Sequence, residues 1–98
     1  MNDMLITRDG RKVFWINPTF YGLPIIEAQV IQEELDELCV RVVPATQFSA
    51  DHERTIRTRL CDRLGTVQVK VERVDSIERG PNGKFKPVIS KIDPNRAH

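Results

Sequence analysis

"ELCVRVVPATQFSADHERTIRTRLCDRLGTVQVKVERV", residues 37–74, changes its hydrophobic period twice. Leu38, Val40 and Val42 recur every second residue, the period of a strand with one covered face. Ile56, Leu60 and Leu64 then recur every fourth, with Cys61 beside them, which is the narrow apolar stripe of a helix. Val67, Val69 and Val71 restore the strand period, with Gln68, Lys70 and Glu72 between them. Pro44 closes the first run. Ser49 stands where an N-cap is needed, and Asp51 and Glu53 fall in the first turn, where the helix dipole favours anions. Gly65 supplies the stop. The spacing predicts a helix over 49–64, joining two strands whose valine faces meet it.

Working outward, "IIEAQVIQ" (25–32) sets Ile26, Ala28 and Val30 against Glu27 and Gln29. This predicts a strand that pairs antiparallel with 37–43 across the acidic "EELDE" turn. "NPTFYGLP" is punctuated by Pro18, Gly22 and Pro24, so it is irregular or at most one helical turn. "MLITRDGRKVFWI" predicts an N-terminal hairpin over 4–15 about Asp9-Gly10, a dipeptide that adopts tight-turn geometry readily. After the last valine run, "KPVISKI" is a short strand or irregular return, and 93–98 a disordered tail. The order implies an α+β fold: a small mixed or antiparallel sheet with an N-terminal β-hairpin, covered on one face by one main helix. The 98 residues suffice for one domain with a single modest core.

Composition excludes several function classes. A net charge of +1 creates no long-range field for nucleic acid or an anionic membrane. No apolar run approaches the ~18 residues of a membrane helix. Arg54, Arg57, Arg59 and Arg63 form a solvated helix face, with no aromatic residues interleaved for nucleic-acid stacking. Cys39 and Cys61 lack metal-ligand spacing and are read as reduced core residues, the habit of a cytoplasmic protein. His52 is read as solvent-exposed, and His98 ends the chain; neither has a nucleophile at a suggestive spacing. There is no metal-ligand set, phosphate-cradling loop or paired carboxylate. Phe14, Trp15, Phe20 and Tyr21 gather within eight residues and are read as core in preference to an interface.

One exposed cation stands apart. In "ERGPNGKFKPVIS" (78–90), Lys84 follows Gly80, Pro81, Asn82 and Gly83 on the most pliable stretch of the chain. Two readings fit these residues: an ordinary hairpin turn with a solvated lysine, or a cation held out to meet an anion delivered from outside.

The blocks "NDMLITRDGRKV", "GLPIIEAQVIQEELDELCVRVVP" and "LGTVQVKVERVDSIERGPNGKFKPVIS" cover roughly residues 2–92. Together they resemble the C-terminal domain of the adenylate-forming enzymes, which include the acyl-CoA synthetases, peptide-synthetase adenylation domains and luciferases. The similarity is greatest to the phenylacetate-CoA ligase branch, which includes the coenzyme F390 synthetase and the CapK-like proteins. The resemblance implies that Lys84 is the adenylation lysine, bridging the acid's carboxylate and the α-phosphate of ATP, with Gly80, Asn82 and Gly83 shaping its loop (78–86). It implies a hinge near 1–3, at Asn2 or Asp3, about which the domain swings between adenylating and thioester-forming poses. Asp9 and Gly10 would face the thiol substrate in the second pose.

ATP with Mg and CoA are implied for the full-length enzyme, with none bound by this domain alone. The implied partners are an N-terminal adenylation domain, in the same chain or a separate polypeptide, and a carboxylic acid. Without that domain the chain would be inactive. The sequence departs from the wider superfamily in having "TRDGRKV" for the R-G-x-x-I/V loop, in reducing the following helix to "NPTFYGLP", and in lacking Pro-Arg/Lys-Thr before the final glycine. Two other readings stand beside this one. One is a free-standing binding module that docks a partner through the aromatic cluster. The other is an RNA-binding ββαβ domain using Arg57, Arg63 and Lys70, which lacks stacking aromatics on its strands. A weak homodimer is expected through the hairpin, which has little core of its own to hold it.

Overall fold

The computed structural model describes residues 4–80, 83 and 85–92, so the expected tail at 93–98 lies outside the described residues. The helix α1 spans Ala50–Leu64 and buries the expected stripe of Ile56, Leu60 and Leu64. Ser49 is its extended N-cap, and the ring of His52 completes the cap: the Ser49 amide donates to His52 Nδ1 (2.9 Å). His52 also stacks on Phe48 at 5.6 Å between ring centroids, so it is a structural cap residue and not a solvated one. At the other end Gly65 takes φ 89° and its amide donates to the carbonyl of Cys61 (2.9 Å).

Four strands form the main sheet: β3 (Ile25–Glu34), β4 (Glu37–Pro44), β5 (Gln68–Arg73) and β6 (Val88–Ser90). Their order is β5-β4-β3-β6. β3 and β4 pair antiparallel as a hairpin, α1 returns the chain to lay β5 parallel to β4, and β6 runs parallel to β3 at the far edge. Register places Val71, Val40, Val30 and Val88 in one row across the sheet. That row and its neighbours Leu38 and Val42 meet the helix stripe in the core. Val67, Val69 and Val71 pack against this core but stay partly exposed, because β5 is an edge strand.

β3 differs from simple alternation. Its pairing with β4 slips between Ile25 and Glu27, and again between Gln32 and Glu34, as bulges do. Ile25 therefore packs toward the core, while Ile26, expected on the same face as Ala28 and Val30, is 68% exposed. Alternation itself, running Ala28, Val30, Gln32, places a polar residue on the helix-facing side, only 2% exposed. Its Oε1 accepts from the Ile6 amide (3.0 Å) and the Ser90 hydroxyl (2.7 Å), and its Nε2 donates to the carbonyls of Ile6 (2.9 Å) and Leu35 (3.2 Å). Two acceptor sites and two donors are all satisfied, which makes its burial tolerable.

Gln32 thereby stitches the N-terminal hairpin to the sheet. That hairpin consists of β1 (Leu5–Ile6) and β2 (Lys12–Val13), with Gly10 at φ 87° in the turn. Leu5 is fully buried in the main core. The expectation that the hairpin has little core to hold it is therefore wrong: its first strand is core. After it comes a single 3-10 turn, Asn17–Phe20, as the proline-punctuated sequence implied. Arg59 of α1 secures this turn by donating to the carbonyls of Thr19 (3.1 Å) and Tyr21 (2.7 Å). Arg57 donates to the Val69 carbonyl of β5 (3.0 Å). The helix arginines are thus partly structural, and Arg57 is committed to the sheet edge, which removes one leg of the RNA-binding reading.

Cys39 and Cys61 are free thiols, as expected, but both are half-buried and neither belongs to the core cluster. Cys39 alternates with the core residues Leu38 and Val40, which turns it to the opposite face. The aromatic cluster departs further from expectation. Phe20 packs on the core, whereas Phe14, Trp15 and Tyr21 are exposed. No helix among the described residues is long and apolar enough to cross a membrane.

Candidate functional site at the loop joining the sheet edges

β5 lies at one edge of the sheet and β6 at the other, so the chain between them has to cross two strands. It crosses the face opposite the helix. The Val74 amide still donates to the Val42 carbonyl (2.8 Å), Ile77 is buried, and Glu78 and Arg79 then bond to side chains of β4 and β3. The stretch between β5 and β6 therefore does not join two neighbouring strands of a hairpin.

Lys84, Pro81 and Asn82 lie outside the described residues. Both arms that lead to them are described, and both are anchored. On the incoming arm, Glu78 takes the Arg41 guanidinium through Nη1–Oε2 (2.6 Å) and Nη2–Oε1 (3.3 Å). This bidentate contact holds the Glu78 carboxyl well below its ordinary range, at about 2. Arg79 bonds Glu27 and lays its guanidinium 4.8 Å from the centre of the Phe85 ring. The Gly83 amide donates to the Gly80 carbonyl (2.9 Å), and Gly83 has φ 72°, a backbone region that side chains disfavour. On the outgoing arm, Gln29 Nε2 donates to the Lys86 carbonyl (2.9 Å) and the Val30 amide to the Pro87 carbonyl (2.9 Å). The glycines are where the sequence indicated, but a loop pliable throughout is not what the arms form.

Sequence reasoning missed Arg41, Gln29 and Glu27 as loop supports. Alternation did place Arg41 and Gln29 away from Val40 and Val30. Nothing in the residues said that this second face would be covered, and only the order of the strands reveals it.

The other candidates sit elsewhere. Asn2 and Asp3 lie outside the described residues. Asp9 and Gly10 form the hairpin turn, where the Asp9 carboxylate accepts from the Thr7 hydroxyl and from Arg11 Nε (3.1 Å). Those bonds, the Thr7 one foremost, hold its carboxyl below the usual carboxylate range. Arg8 pairs with Asp36 (2.7 Å), just beyond the end of β3. The hairpin tip, Asp36 and the residues after α1 line an open groove of about 510 Å³. Arg79, in contrast, meets Glu27 near the start of β3. Glu27 and Glu34 are separated by roughly 23 Å at ~3.3 Å per strand residue. The lysine loop's arms and the hairpin tip therefore lie toward opposite ends of the sheet.

Beside the loop, Phe85 and Pro87 share a groove of about 290 Å³ with Ile16, Tyr21 and Ile26. Among the described residues, Phe14, Trp15, Tyr21 and Ile26 are the large apolar side chains left exposed, at 55–72%.

Three comparisons bear on this arrangement. The family model described as the CapK C-terminal domain matches residues 5–91. Among solved structures, the chain is similar to a 2-hydroxyisobutyryl-CoA ligase, crystallised in an open conformation in complex with 2-HIB-AMP and CoA. The identity is 27% and the TM-score 0.54, over 90% of this chain and 21% of that one, so the chain spans about a fifth of the ligase's length. No curated protein sequence matches. An α+β domain with this strand order, matched over nearly its whole length, belongs to the CapK C-terminal domain family and has the fold of an acyl-CoA ligase C-terminal domain.

Proposed function

We propose that this chain is the swinging C-terminal domain of an AMP-forming acid–CoA ligase and that Lys84 is the cation it supplies to acyl-adenylate formation. In that step a carboxylate oxygen attacks the α-phosphorus of ATP and pyrophosphate leaves. Two anions must approach, so a cation between them stabilises the transition state most as charge redistributes. The lysine acts by charge and position and forms no bond to substrate. The domain then rotates about the Asn2–Asp3 region, withdrawing the loop and bringing the hairpin at Asp9 and Gly10 to face the CoA thiol, which attacks the carbonyl carbon of the acyl-adenylate and releases AMP.

The observation that supports this reading is that the two anchored arms on either side of residues 81–84 and the hairpin tip lie toward opposite ends of one sheet. A single rotation can then exchange one for the other. ATP with Mg, the acid and CoA are substrates of the complete enzyme. This domain contributes to their chemistry only when an N-terminal adenylation domain is present, in the same chain or as a separate polypeptide.

The exposed Phe14, Trp15, Tyr21 and Ile26 favour a second reading, a free-standing module that docks a partner and catalyses nothing. One experiment separates the two. Joined to an adenylation domain of this family stripped of its own C-terminal domain, the chain is expected to restore both acyl-adenylate and acyl-CoA formation. A fusion that folds, binds ATP and gains neither activity contradicts the ligase reading and leaves the docking module.

A further inference from the structure

We propose that Arg41 is a positioning residue for the adenylation step, because its guanidinium ties together the two arms of the loop that carries Lys84. The proposal rests on the ligase reading above and adds to it a residue on the far side of the sheet from the helix.

Arg41 sits in β4, in a row with Gln29 on one side and Glu72 on the other. Its side chain is 19% exposed beneath the crossing segment. The fork holds Glu78 of the incoming arm with two bonds, 2.6 and 3.3 Å. Nη1 also reaches Gln29 Oε1 (3.5 Å), and Gln29, 4% exposed, donates Nε2 to the Lys86 carbonyl of the outgoing arm (2.9 Å). Glu78, Arg41, Gln29 and Lys86 thus form a continuous side-chain and backbone link from one arm to the other. Glu72, 3.8 Å from Arg41 Nε, steadies the guanidinium from the β5 side.

A second tie runs directly between the arms. Arg79 is on the incoming arm, bonded to Glu27, and Phe85, over which it stacks, is on the outgoing arm. Beyond these ties only residues 80–84 span the gap. At ~3.3–3.6 Å per residue, out and back, such a span carries its middle no further than about 10 Å from its anchors. The two arms are thereby held together in the folded domain, so the entropy of bringing them together is lost on folding and not in the transition state. An arginine is required, because its planar fork can engage Glu78 twice and Gln29 at once, whereas a lysine offers one point charge.

The test has two arms. In the 98-residue chain, Arg41→Lys and Gln29→Leu are expected to speed exchange of the Gly83 amide, which is held by Gly80. The Val40 amide, in the sheet core, should keep its protection. In the ligase that carries this domain, Arg41→Lys should lower kcat for pyrophosphate exchange about ten- to a hundredfold. KM for ATP and acid should be unchanged, as should thioester formation from supplied acyl-adenylate. Unchanged Gly83 exchange overturns the tie itself. Faster exchange with full adenylation activity overturns its positioning role. If Lys84→Ala, run alongside, is also silent in pyrophosphate exchange, the ligase reading has failed and the proposal falls with it. A normal Lys84→Ala defect with a silent Arg41→Lys sinks the proposal alone.

Discussion

Gln32 and Glu78 show how single polar residues set the geometry of this domain. Removing Gln32 strands four groups at once: the Ile6 amide and carbonyl, the Leu35 carbonyl and the Ser90 hydroxyl. Gln32→Leu keeps the volume but leaves buried partners without bonds, and each such group costs about 1–3 kcal/mol. Since some will find water, the expected loss is about 2–4 kcal/mol in urea unfolding, with faster exchange at the Ile6 amide. A neutral Gln32→Leu would show that the hairpin is held by Leu5 alone. Glu78 offers a test by titration. Its carboxyl is depressed from the usual 4.5 to about 2, first by its bonds to Arg41. A depressed carboxylate contributes stability above its unfolded pKa and loses it as pH falls through the folded one, so the stability from the tie is full above about pH 4.5 and is lost by about pH 2, where the pair itself opens. Glu72 also faces Arg41, so the guanidinium keeps one acidic neighbour until that group protonates too. Carboxyl NMR should place the Glu78 midpoint near 2, and a midpoint at 4.5 would mean the pair is open in solution.

At the level of elements, the helix and the valine strands were legible because each repeats one unbroken period. Ile56, Leu60 and Leu64 could only be one helix face, and Val40, Val42 and Val71 could only be one sheet face. The errors fell where a local device interrupts the period. The bulge at Ile26 moves one side chain to the other side of β3, and no residue type announces it. His52 could not be recognised as a cap because Glu or Gln usually fills that position. The arms of the lysine loop were readable as glycine-rich but not as anchored, since their anchors lie thirty and more residues away in β3 and β4. Gly65 is the one terminus where sequence and conformation agree fully. It has φ 89° and ψ −170°, a region that is nearly glycine-only, with open space where a Cβ would stand. Gly65→Ala should therefore cost about 1–3 kcal/mol from the backbone alone, and Gly65→Asn should do no better, because this is not the left-handed helical region that asparagine tolerates. Thermal unfolding of both variants checks this, and an asparagine that restores full stability would contradict the assigned conformation.

For the molecule as a whole, the distribution of apolar surface matters most. The core is on the helix side, the crossing segment covers the Glu27, Gln29 and Arg41 end of the other face, and Phe14, Trp15, Tyr21 and Ile26 remain exposed. Weak self-association of the isolated chain is expected through these side chains, and not by exchange of the hairpin, whose Leu5 is locked in the core. Sedimentation over a range of concentrations should show association that Trp15→Ser reduces; strict monomer behaviour at high concentration would count against it. The helix and the valine strands were readable from periodicity, though the strand order was not; the function required the resemblance, since one lysine on a loop is chemically ambiguous. That lysine carries the central claim. The most direct measurement is ATP–pyrophosphate exchange by the ligase carrying this domain, as wild type and as Lys84→Ala, beside thioester formation from supplied acyl-adenylate. The account predicts that exchange falls by orders of magnitude while thioester formation and melting temperature hold. Exchange that survives in Lys84→Ala would reduce the residue to a surface lysine and contradict the account.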